Sequence, residues 1–228
     1  MDPTPVAIPI HDAQPVSGLL GRPRAARACF VFAHGAGAGM THPFMAAFAA
    51  DLAERGVACL RYQFPFMERG SKRPDSAAVA QAAVRAAVAA AAVLAPDLPL
   101  FAGGKSFGGR MTSQAQAVSP LPRVRGLGFL GFPLHPAGKP GDARAAHLAD
   151  VNVPMLFLQG DRDKLADLAL LRPIVKGLGP RGRLVEMPEA DHSFHMPARS
   201  GRTDAEVRGQ LADALVSWMA DVAARGER

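Results

Sequence analysis

Cysteine, tryptophan and tyrosine are scarce in this chain: two, one and one among 228 residues. Cys29 and Cys59 each sit in an apolar, strand-like run, so they read as small buried hydrophobes. A disulfide would require those two strands to lie side by side. The N-terminus, MDPTPVAIPIHDA, lacks a basic segment followed by an apolar one. No secretory signal is therefore expected, and a reducing cytoplasmic setting, which disfavours disulfides, is. Long, pure apolar runs are missing as well. The alanine-rich stretch from Asp75 to Pro96 comes nearest, but Gln81 and Arg85 interrupt it and alanine partitions weakly into lipid, so no membrane role is expected. The net charge is +6, yet the arginines are scattered; the densest basic piece is MERGSKRP, Met67–Pro74. Without a stripe of Lys and Arg interleaved with aromatics, nucleic acid is not an expected partner. No cluster of metal-ligating side chains is evident, so neither a metal nor a cofactor is expected.

What is present is a chain 49% hydrophobic and 20% charged, the composition of a globular protein, at a length that suits one domain spanning residues 1–228. Short apolar runs alternate with amphipathic ones. VAIPI and PVSGLLGR predict an opening antiparallel pair. ACFVFAHG, VACLRYQF, PLFAGG, VRGLGFLGF, VPMLFLQGDRD and RLVEMPEADHSF predict strands. Between them, helices are predicted from Pro43 to Gly56, from Asp75 (the N-cap region) to about Leu94, and from Phe107 to Val118. Two more are predicted over Lys164–Leu178 and Thr203–Arg225, the last anchored by Trp218. Strands alternating with helices imply an α/β fold with a mostly parallel sheet covered on both faces. In such sheets the ligand sits at the carboxyl ends of the strands.

At one of those ends stands LFAGGKSFGGR, Leu100–Arg110. Its letters permit two readings. GKS could close a phosphate-binding loop, but G-x-x-x-x-G-K-[ST] needs glycine at position 99, which is Pro99, and the intervening residues are strand-like. Gly104-Lys105-Ser106-Phe107-Gly108 instead fits G-x-S-x-G, placed after a strand and opening a helix. That turn exposes a serine and needs small residues two before and two after it. A serine is a poor nucleophile unaided, so the reading requires a histidine to take its proton and an acid to hold the imidazole. Downstream and in the required order, GDRD offers Asp161 or Asp163, and ADHSF offers His192 with His195 nearby. HGAGAGM, His34–Met40, follows an early strand. Its turn could offer the Ala36 amide to an oxyanion, beside the amide of Phe107.

FAHGAGAGMTHPFM, LFAGGKSFGGRM, FLQGDRD and ADHSF together resemble the α/β-hydrolase superfamily. The likeness is to its small, lidless bacterial members, distantly similar to dienelactone hydrolases, and runs from about Val6 to Val222. The resemblance implies the α/β-hydrolase fold with a mostly parallel central sheet, helices on both faces and no large cap domain. It implies a serine esterase acting on a small acyl substrate, with Ser106 as nucleophile and His192, which precedes a small residue and an aromatic, as base. It favours Asp163 over Asp161 as the acid. Dienelactone hydrolases proper use cysteine as nucleophile; Ser106 stands there, so their substrate does not carry over. Phe64, Phe132 and Phe194, near the catalytic edge, are expected to line an acyl pocket. His34 is expected to brace its turn. His11, His135 and His147 read as ordinary loop or surface residues, and Lys105 and Arg110 as solvated or paired with acids.

Overall fold

The computed structural model describes residues 2–11 and 13–225. The chain runs through β1 (Thr4–Ile8), β2 (Val16–Gly21), β3 (Ala28–Ala33), α1 (Pro43–Glu54), β4 (Val57–Tyr62) and a short α2 (Pro65–Glu68). It continues through α3 (Ala77–Leu94), β5 (Leu100–Lys105), α4 (Phe107–Val118), β6 (Val124–Leu130) and a 3-10 helix, Ala143–Asp150. β7 (Met155–Gly160), α5 (Leu168–Gly177), β8 (Gly182–Met187) and α6 (Asp204–Arg225) complete it. The eight strands form one sheet in the order β1-β2-β4-β3-β5-β6-β7-β8. β1 pairs with β2, and β2 with β4, antiparallel; every other pairing is parallel.

The apolar residues sort onto two faces. Ala80, Val84 and Val88 of α3, Met111 and Ala115 of α4 and Leu171 of α5 pack on one side. Met45, Phe48 and Leu52 of α1 and Val207, Leu211, Leu215 and Trp218 of α6 pack on the other. β3 and β4 are buried along their whole length, as strands covered on both faces must be. Cys29 and Cys59 lie on adjacent strands but on opposite faces of the sheet, Cys59 opposing Phe30 rather than Cys29, and both remain free thiols. Burial pushes the Cys29 thiol up to about 12, which makes it inert.

Several boundaries differ from the sequence expectation. α3 is capped by Ser76, whose hydroxyl accepts from the Val79 amide, because Asp75 is drawn away by Arg69. α5 begins at Leu168, capped by Asp167, because Lys164–Ala166 serve the turn after β7. Between β6 and β7, where no helix was expected, Ala143–Asp150 forms the 3-10 helix. α3, contrary to expectation, is long and apolar enough to cross a membrane by composition, with a mean hydropathy of 1.8. In this fold Ala80, Ala83, Val84, Ala87, Val88 and Ala91 spend that apolarity on the sheet.

Candidate active site

Ser106 occupies the turn between β5 and α4 with φ 50° and ψ −117°. A non-glycine residue holds such a conformation at a cost of about 1–3 kcal/mol, and only where its surroundings enforce it. The enforcement is steric. A Cβ at either Gly104 or Gly108 would come within 2.5 Å of the Ala33 carbonyl oxygen, so only glycine lets β5 and α4 approach β3 this closely. The positive N-terminal end of α4, a helix of 12 residues, meets the turn. The same geometry disposes of the phosphate-loop reading, since Leu100–Lys105 is a strand.

The turns after β7 and β8 bring the partners to this edge. His192 Nε2 lies 2.9 Å from Ser106 Oγ, and its Nδ1 lies 2.6 Å from Asp163 Oδ2. A carboxylate only accepts, so Nδ1 carries the proton and Nε2 presents its lone pair to the serine hydroxyl. Asp163 is itself held by Gln159 Nε2 at 2.5 Å and by the Leu165 amide at 2.7 Å. Its side chain is fully buried, whereas His192 keeps 24% exposure toward the cleft. Asp161 turns elsewhere and accepts from the Glu189 amide at 2.7 Å. Asp191 caps its own turn through the amides of Ser193 and His195. His195 is exposed and pairs with Asp204, which holds its pKa above the ordinary value.

The cleft over Ser106 has a volume of about 390 Å³ and is walled by Ala36, Ala38, Met45, Leu165 and His192, among others. The glycine turn after β3 lies against the serine: a Cβ on Gly35 would sit 3.7 Å from that of Ser106. Ala36 lines the cleft with Ser106, and Phe107, the residue after the serine, opens α4. His34 braces the turn as expected. Its Nε2 accepts from the Phe64 amide at 3.0 Å, so Nδ1 donates to the Gly35 carbonyl at 2.7 Å. Burial lowers its pKa to about 4 and keeps it neutral.

The expected acyl-pocket aromatics fare differently. Phe64, Phe132 and Phe194 are at most 2% exposed and belong to the core beneath the site. Phe64 packs edge-on against His34 and Phe107; Phe132 packs against Phe129 and Phe157. Their proximity in sequence to strand ends signalled the right edge but not the direction in which each ring points. The aromatic that does reach the cleft is Phe44 of α1. His135 lies in a loop as expected but is buried, and His147 is half-buried on the 3-10 helix. Buried His135 accepts from the Asp167 amide and fixes the start of α5. His147 lies 2.7 Å from Ser113 Oγ, but that buried hydroxyl gives its proton to the Arg110 carbonyl. The ring therefore donates, and this second Ser–His pair is a structural bridge between α4 and the 3-10 helix. Arg110 is half-buried with its guanidinium over the Phe107 ring, and half-buried Lys105, at the cleft wall, sets its ammonium against the rings of Phe44 and Phe194; among the described residues neither forms an ion pair with an acid. The sequence also concealed Gln63, whose side chain accepts from the Met40 amide, and Gln159, because nothing in a lone amide side chain marks it as a brace.

A mostly parallel sheet with a strained serine at a strand-to-helix turn, faced by histidine and acid from later turns, defines an α/β-hydrolase architecture. The chain belongs to the alpha/beta hydrolase domain family, whose model matches residues 26–220. Family and fold together support a hydrolase. Among solved structures it is similar to a dienelactone hydrolase from Anabaena variabilis, with 22% identity, 93% of this chain and 97% of that one covered, and a TM-score of 0.76. It is similar to an alpha-beta serine hydrolase homologue from Coxiella burnetii at 20% identity, covering 94% and 98%, with a TM-score of 0.75. A serine hydrolase without a lid from Xanthomonas campestris matches at 22% identity, covering 96% and 95%, with a TM-score of 0.74. At these identities the likeness is one of fold.

Proposed function

We propose that this protein is a serine hydrolase of esterase type that cleaves a small acyl ester through an acyl-enzyme. The observation that carries this reading is the unbroken line from Ser106 Oγ through His192 to Asp163, with contacts of 2.9 and 2.6 Å. The hydroxyl proton passes to His192 Nε2 as Oγ bonds to the carbonyl carbon. The electron pair displaced onto the carbonyl oxygen is received by the amides of Ala36 and Phe107 at the positive end of α4. Collapse breaks the ester C–O bond, and the leaving oxygen takes the proton from His192. Water then repeats the cycle on the acyl-serine. Asp163 holds the imidazole tautomer and stabilises its transient charge.

The small cleft, walled by Ala36, Ala38, Met45 and Leu165, suits short acyl groups. The 131–154 connection between β6 and β7 carries one short 3-10 helix rather than a cap, so the cleft opens to solvent without a lid to move. We place this enzyme in the cytoplasm, working on a soluble small-molecule ester without metal or cofactor.

Intact mass after exposure to a small fluorophosphonate tests this. One adduct is expected on the wild type and none on Ser106→Ala. A folded wild type that takes no adduct overturns the reading and favours a binding role for the fold. Turnover of an ester and thioester chain-length series, expected to peak at short acyl groups, then identifies the bond type.

A further inference from the structure

The turn that carries His192 follows an uncomfortable path. Glu189 and Phe194, before and after the histidine, have φ of 65° and 63°. Both lie in the left-handed region that side chains other than glycine adopt only when held there. Asp191 organises the turn from within, but that does not fix its position relative to Ser106.

Lys105, the residue before the serine, reaches that turn directly. Its Nζ donates to the carbonyl oxygen of His192. The ammonium also sits 4.9 Å from the centroid of Phe194 and 5.6 Å from that of Phe44, two rings stacked at 6.1 Å and 15°. Gly131, at the end of β6, makes the room: a Cβ there would meet Lys105 Nζ at 3.2 Å, the His192 carbonyl at 3.3 Å and the His192 ring at 3.4 Å. Burial lowers the lysine pKa to about 8, against the opposing pull of Asp163 and Asp191. An ammonium that gives up part of its hydration needs a hydrogen bond and aromatic faces to compensate it, and here they are supplied by the histidine turn and α1.

We propose that Lys105 is a positioning residue that ties the strand end bearing Ser106 to the turn bearing His192, and so sets the approach of the imidazole to the hydroxyl. The tie uses the backbone of His192 and the ring of Phe194, leaving the imidazole nitrogens for serine and acid. It rests on the hydrolase reading above for its catalytic meaning, but the tie itself is a structural statement. Methionine at this position would keep the length and lose both the donor and the charge. Arginine would not fit the space that Gly131 leaves for a compact ammonium.

Two readouts on the full chain test it. Hydrogen–deuterium exchange is expected to rise tenfold or more over residues 189–196 in Lys105→Met and to stay unchanged elsewhere. With the fluorophosphonate, the maximal rate of adduct formation is expected to fall about 10–10²-fold while the half-saturating concentration holds, since a small misplacement of a reacting group slows chemistry rather than binding. Lys105→Cys alkylated with bromoethylamine restores an ammonium at the same reach and is expected to recover both; Cys29 and Cys59 are buried and stay unmodified. Should Lys105→Met fail to fold, Phe44→Leu removes one ring of the pair and is expected to raise exchange over the same residues by a smaller factor. Unchanged exchange at 189–196 overturns the proposal, and so does a rate loss confined to half-saturation. A wild type without adduct, combined with raised exchange in Lys105→Met, sinks the hydrolase reading and leaves the tie standing.

Discussion

At the residue scale the two aspartates of GDRD separate cleanly. Asp163 meets His192 and is held by Gln159 and Leu165, while the Asp161 side chain turns to the Glu189 amide. Asp163→Asn is expected to lower kcat by on the order of 10⁴-fold, because an amide nitrogen facing Nδ1 selects the wrong tautomer. Asp161→Asn is expected to stay within tenfold of the wild type, its loss being one turn contact. Steady-state hydrolysis of a short-chain nitrophenyl ester distinguishes them. His34 belongs to the same scale. His34→Ala strands the Phe64 amide and the Gly35 carbonyl, and a loss of about 2–6 kcal/mol in urea unfolding is expected, at about 1–3 kcal/mol for each orphaned buried group. Ser106, His192 and the pair of candidate acids were legible because motif and order constrain them. Lys105 was not, since a lysine beside a serine looks the same whether it is solvated or set against the rings of Phe44 and Phe194.

At the element scale the strand-to-helix turn depends on clearance. Gly108 faces the Ala33 and His34 carbonyl oxygens, which a Cβ would meet at 2.5 and 2.6 Å. Gly108→Ala is expected to push α4 away from β3 and cost about 1–3 kcal/mol, as overpacking does. Fluorophosphonate labelling is expected to slow about 10²-fold, since the amide of Phe107 moves with the helix. A thermal melt and a labelling time course on the same sample separate the two effects. Element type and order were readable from periodicity and from glycine and proline. Cap positions were less so: Asp75 and Ser76 are both good N-caps in sequence, and Arg69, six residues away, decided between them.

At the scale of the whole molecule, buried neutral histidines tie stability to acidity. Burial lowers the pKa of His34 to about 4, against 6.5 for the free side chain, and does the same to His147 beside Arg110. In the unfolded chain both bind protons that the native state refuses. Stability is therefore fully present above about pH 6.5 and is lost as pH falls toward 4, by on the order of 3 kcal/mol for His34 and less for half-buried His147. Urea midpoints measured across this range are expected to fall, and His34→Phe is expected to flatten the slope.

The sequence by itself determined the α/β class, the strand and helix order and the serine-acid-histidine order, because each is written in local periodicity or in short motifs whose chemistry admits few residue types. Only the tertiary structure decided which aspartate reaches His192, that Phe64, Phe132 and Phe194 turn into the core, and that Lys105 is clasped by the histidine turn. Those outcomes depend on where side chains point once distant strands are brought to one sheet edge. A position along the chain carries no such direction until the sheet has formed.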